Sequence, residues 1–264
     1  MSRAAVPGRA SHRAFLGVSA LVFAASAVLT VAWCGSMAAM HGMAMPGGWT
    51  MSMTWMLMPG QAWVGAAAAF LGVWVVMMVA MMLPSLVPML KRYREAVVQT
   101  GSPRLGRLTA IAGAGYFFVW TLFGVAVFPL GLALASAAME HPGLARAVPL
   151  AAGVAVLLAG LLQFTPWKTR HLACCRESPA PGHAVASTAG AAWRHGLFLG
   201  LQCCACCLGL MTVLLVAGVM DLRVMALVAI TIAVERMAPS GRRAAQLVGV
   251  IVAGAGFVLI TRAL

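Results

Sequence analysis

Eight methionines fall within the 22 residues from Met37 to Met58, MAAMHGMAMPGGWTMSMTWMLM, and no charged residue lies among them. One histidine, His41, sits inside the run and Cys34 lies just before it. Thioethers are soft, neutral ligands that suit Cu(I) and suit Mg²⁺, Ca²⁺ or Mn²⁺ poorly. The spacing Met37-x₂-Met40-x₂-Met43-x-Met45, then Met51-x-Met53-x₂-Met56-x-Met58, lets a mobile loop wrap several sulfurs round one such ion. The competing reading is a segment lying on lipid, anchored by Trp49, Trp55 and Trp63. Leucine or isoleucine would serve that purpose equally, yet Leu57 stands alone in the run. Met37, Met40, His41, Met43, Met45, Met51 and Met53 are therefore candidate ligands.

A second sulfur group is Met77, Met78, Met81 and Met82, in VVMMVAMMLPS. On a helix, Met77 and Met81 share one face, as do Met78 and Met82, so the four make one stripe. Methionine is also a common gap-filler, and packing alone explains the stripe as well. A third group is Cys203, Cys204, Cys206 and Cys207, in LQCCACCLG. Cys203, Cys206 and Cys207 face largely one way on a helix, with Cys204 at the edge. A disulfide set is disfavoured, because neighbouring helix positions do not readily reach the ~3.8 Å Cβ separation it needs. Cys204–Cys207 keeps a redox C-x-x-C reading open. Zn²⁺ could use four thiolates, but one straight helix cannot surround an ion and four buried thiolates in lipid are costly. Cu(I) held by two or three thiolates plus a sulfur from another helix fits better. A fourth group, His171, Cys174 and Cys175 in KTRHLACCRE, with His183 beyond, matches no zinc spacing well.

The elements that must position these groups are apolar helices. Of the 264 residues, 62% are hydrophobic and only 9% charged, with mean hydropathy +0.96; soluble domains carry roughly 25% charged residues. Runs near 14–33, 62–90, 108–138, 148–164, 196–220, 224–237 and 245–260 read as about seven spanning helices in an all-α polytopic bundle. The +13 net charge belongs to topology rather than to nucleic acid, since the basic residues are spread over short loops without an aromatic-lined patch. Fifteen of the 18 Lys and Arg fall on one side of that alternation. Only Arg146, Arg223 and Arg262 fall on the other. The N-terminus is then cytoplasmic and the methionine-rich loop external. A cleaved signal peptide is the alternative for the first run, and it leaves the loop outside in either case.

The organisation expected is an N-terminal tail and first helix or signal anchor (1–33), an external methionine-rich loop (34–61) and a metal-binding helical domain (62–264). Pro84 and Pro88 should kink the second helix or end it early. The segment 166–194 should be irregular, given SPAPGHAVASTAGAA. Glu235, beside Arg236, should find a pairing partner. At 1.5 Å per residue, Met82 lies ~13 Å from Lys91 and Cys203 ~12 Å from His195. The stripe and the cysteines thus share one depth in the cytoplasmic half, where neighbouring helices would give one mixed thioether–thiolate site.

Several segments together resemble the family of predicted metal-binding integral membrane proteins, domain of unknown function 2182. They are WVVMMVAMMLPSLVPML (Trp74–Leu90), GYFFVWTLFG (Gly115–Gly124), LLQFTPWKTRHLACCR (Leu161–Arg176), and the stretch from RHGLFLGLQCCACCLGLM at Arg194 to ERMAP at Pro239. The resemblance covers roughly Met53 to the C-terminus. It maps a C-x₂-C-C onto Cys203, Cys206 and Cys207, with Cys204 as an extra thiol, and a Met-Met-x₂-Met-Met onto Met77, Met78, Met81 and Met82. It implies metal binding, with copper the suspected metal. The external methionine loop is not part of it.

The reading that follows is a copper-binding protein of a bacterial inner membrane that captures and holds or relays Cu(I). Its partners would be the lipid bilayer, the metal ion and another membrane or periplasmic subunit, with no nucleic acid. The alternative is a membrane subunit or enzyme with a copper redox centre. Against it, the six histidines include none at mid-membrane. Packing alone is the third reading.

Overall fold

The computed structural model describes residues 8–38, 42–56, 60, 62–100, 102–177 and 187–264. It is 86% helical. The helices are α1 (Arg9–Ala38), α2 (Trp63–Val98), α3 (Leu105–Glu140), α4 (Pro142–Leu162), α5 (Pro166–Glu177), α6 (Ala189–Ala217), α7 (Leu222–Met237) and α8 (Gly241–Ala263). A hairpin of β1 (Met43–Met45) and β2 (Trp49–Met51) follows α1. Six helices, α1–α4, α6 and α8, are long and apolar enough to cross a membrane. The expected sixth span, α7, has only 16 residues.

α2 does not end at its prolines; it runs through Pro84 and Pro88 for 36 residues. The segment expected to be irregular begins instead with α5. Thr165 explains the start: its hydroxyl accepts a hydrogen bond from the Lys168 N–H at 3.4 Å. Pro166 follows at the first helical position, where a missing N–H costs nothing. Helix α6 starts likewise, with the Thr188 hydroxyl accepting from the Ala191 N–H at 3.2 Å. It stops at Gly218, whose φ of +124° favours glycine. The Asp221 carboxylate then accepts from the Arg223 and Val224 N–H groups to open α7.

α3 packs along α6, α2 against α1 and α3, and α4 against α8. The α3–α6 approach depends on glycine. A Cβ on Gly200 would stand 2.9 Å from the Tyr116 carbonyl oxygen, and one on Gly115 2.7 Å from that of Trp193. Gly196 and Gly200 give α6 the small-x₃-small spacing that lets backbones meet in lipid. Trp74 ties α2 to α3 by donating its indole N–H to the Trp120 carbonyl at 2.9 Å. The core so formed holds the α2 methionines and the α6 cysteines together.

Candidate metal centre

The α3–α6 contact carries Tyr116 to the cysteines: its hydroxyl lies 2.9 Å from Cys203 Sγ. From α7, Arg236 Nη2 donates to Cys203 Sγ at 2.8 Å and to Cys207 Sγ at 3.4 Å. Cys203, Cys206 and Cys207 are buried, and Cys204 is half-buried at the edge, as the helical spacing predicts. α5 adds a fourth buried thiol, Cys175, in the same core as the α6 cysteines. The other sulfur brought to the α6 cluster is thus a thiol from the segment expected to be irregular. All seven cysteines are free.

A second polar layer fixes the helices that supply these thiols. Lys168 Nζ pairs with Glu235 Oε2 at 2.6 Å and donates to the Cys206 carbonyl at 2.8 Å. Gln163 donates its amide to Glu235 Oε1 at 2.9 Å. Glu235 does find a partner, but it is Lys168 of α5 rather than its neighbour Arg236. Burial pulls the Lys168 ammonium downward, yet Cys206 and Glu235 hold it above its ordinary value. The Cys206 thiol holds Cys175 below the usual thiol range, against burial and with help from Arg236. The pairing suits a buried site, where an unpartnered charge is costly.

Two donors of Arg236, Nε and Nη1, are buried without a hydrogen-bond partner. A fixed cation with spare donors beside thiols is suited to thiolates formed when a soft cation binds. Among the described residues, no group of three or more His, Cys, Asp or Glu could hold a metal ion.

The remaining candidates sit on other elements. Met77, Met78, Met81 and Met82 are all buried on α2. α2 packs chiefly on α1, α3 and α7, and α6 chiefly on α3, α4 and α5. The two meet through the stacked rings of Tyr93 and His195, with centroids 4.8 Å apart. His171, half-buried on α5, is hydrogen-bonded through Nδ1 to Gln202 Oε1, and Cys174 is half-buried beside it.

At the other end, the methionine loop is an ordered hairpin over residues 43–51 rather than a wrap of free sulfurs. Met45 and Met51 are buried against Ala135, Ala138 and Ala145. Trp49 locks the hairpin by donating to the Ala145 carbonyl at 2.9 Å. Met43 is exposed and Met53 half-buried. Met37 lies on α1, which outruns its expected end, and Met40 and His41 lie outside the described residues.

Tyr116, Lys168 and the reach of Arg236 were not signalled by spacing. Arg236 had one signal, a charge in an otherwise apolar helix; Tyr116 and Lys168 had none that local sequence could supply.

The family model described as PpoB2, copper chaperone, matches residues 71–259. The chain belongs to this copper chaperone family. The match takes in the α2 methionines, Tyr116, Lys168, Cys175, the α6 cysteines and Arg236. In this copper chaperone relative, α1, the hairpin and Cys34 lie outside the matched region. No curated protein and no solved structure matches the chain.

Proposed function

We propose that the chain is a multi-pass protein of a bacterial inner membrane that captures Cu(I) on its outer methionines and holds or relays it inward. The N-terminus is cytoplasmic and the hairpin periplasmic. The four α2 methionines pass the ion toward Cys203, Cys206 and Cys207. Cys175, Cys174 and His171 on α5 form the cytoplasmic side of the route. The observation that carries this reading is the convergence of Cys175 with the α6 thiols around Arg236, in a chain of a copper chaperone family.

Charge accounts for the arrangement. Two thiolates and one Cu(I) carry a net negative charge, and Arg236 neutralises it inside the bundle, where an uncompensated charge is expensive. The Tyr116 hydroxyl orients Cys203. The Lys168–Glu235 pair adds no net charge and keeps α5 seated on α6 and α7. Thioethers bind Cu(I) as neutral ligands and thiolates bind it with charge, so affinity rises along the route.

The test is copper content of the detergent-purified full chain, loaded with Cu(I) under anaerobic reduction and read by mass spectrometry. Copper at one or more per chain, falling in a Cys203→Ser/Cys206→Ser/Cys207→Ser variant that still folds, supports the reading. Unchanged copper in that variant, or zinc in its place, sinks it.

A further inference from the structure

A different set of sulfurs meets near the hairpin end of the bundle. Cys34, buried on α1, places its Sγ 4.0 Å from Met220 Sδ and 4.0 Å from Met225 Sδ. Met220 stands in the turn between α6 and α7, and Met225 in the first turn of α7. The Asp221 cap fixes the backbone between them. Cys34 and Met225 are 2% and 4% exposed, whereas Met220 is half-buried and gives the cluster an open side.

We propose that Cys34, Met220 and Met225 form a separate three-sulfur Cu(I) site at the outer end of the bundle. The proposal rests on the reading of the chain as a Cu(I) handler, and adds a site whose thiol, Cys34, lies outside the family's matched region. Geometry supports it first. Three sulfurs in a plane around one ion, each bond about 2.3 Å as for metal–thiolate bonds, lie about 4.0 Å apart. Both measured separations from Cys34 have that value. Charge supports it second. On binding, the Cys34 thiol gives its proton to solvent; one thiolate, one Cu(I) and two neutral thioethers then sum to zero. No arginine or lysine is among the hydrogen-bonding partners of Cys34 in the described structure, and a neutral complex needs none. Position supports it third. Cys34 precedes Met37 by three residues on the same helix, so the site lies one helical turn from the start of the methionine-rich run.

The experiment titrates Cu(I) into the full chain in detergent, anaerobically, against a chromophoric Cu(I) chelator. The variants are Cys34→Ala, Met220→Leu/Met225→Leu, and the Cys203/Cys206/Cys207 triple serine. Leucine for methionine nearly conserves volume, so the double variant folds even if Cys34→Ala does not. Both outer variants should lose one Cu(I) per chain, or bind it at least about tenfold more weakly, a change of about 1.4 kcal/mol. The triple variant should keep that ion, and its X-ray absorption should report sulfur-only ligation at about 2.3 Å. Wild-type copper number and affinity in both outer variants would overturn the proposal and show that the three sulfurs only pack. Loss confined to the outer variants supports the site while overturning the inner thiol reading; loss confined to the triple variant does the reverse.

Discussion

The two sulfur clusters differ in how they meet the cost of burying charge. At the hairpin end, one thiol lies among two thioethers, and among the described residues no lysine or arginine hydrogen-bonds to it. At the α6 cluster, Cys203 and Cys207 share the Arg236 guanidinium, while Cys206 and Cys175 sit beside Lys168 and Glu235. The cluster with more thiols is the one with cations beside it. Thiol count alone would rank the α6 cluster as the stronger site and stop there. Charge balance adds that each cluster suits a monovalent ion, and that the α6 one depends on residues that bind no metal.

The largest effect expected from breaking this contrast is on folding. Glu235→Ala leaves Lys168 charged and buried without its partner, at a cost of about 3–5 kcal/mol. Thermal unfolding in detergent should show it, and the double variant Lys168→Met/Glu235→Leu should recover most of the loss. A double variant as unstable as the single would mean the layer is more than a charge pair. Next comes Arg236→Gln, which removes the counter-charge of the α6 cluster. Copper affinity there should fall by ten- to a hundredfold, about 1.4–2.8 kcal/mol, with copper at Cys34 unchanged. Equal loss at both clusters would sink the charge-matching account. Gly200→Ala should push α6 off α3, cost about 1–3 kcal/mol, and weaken binding at the α6 cluster through misplaced Tyr116. The smallest effect belongs to Tyr116→Phe, which deletes one hydrogen bond to Cys203 worth about 0.5–1.5 kcal/mol. A chelator competition titration that finds no change there would leave the hydroxyl as packing.

Apolar run length made the helical bundle legible, because spanning helices have no other way to satisfy their backbone in lipid. Helical spacing also sorted the α6 cysteines correctly, with Cys204 at the edge. α5 was missed because PWKTRHLACCRE is polar and leads into a Pro- and Ala-rich stretch. Thr165 and Pro166 were the available signals. The hairpin was hidden by its own methionines: Pro46-Gly47-Gly48 between Met-Ala-Met and Trp-Thr-Met is a turn between alternating strands. Cys34 meets sulfurs 186 and 191 residues away, and no local pattern encodes a contact of that range. The Arg236–thiol and Lys168–Glu235 contacts are hidden for the same reason.

Helix α1 is the least embedded of the six long helices, with 11% of its apolar window buried. Its N-terminal end is held by Arg94, which donates to the Ser11 carbonyl and hydroxyl and lies over the Phe15 ring. Its C-terminal end is held by Cys34. Between those two fastenings Leu21, Val28 and Leu29 face outward. With so little of its surface buried, α1 should be released by heating before the α3–α6 core melts. A metal bond at Cys34 would turn the C-terminal contact into a rivet and merge two melting steps into one.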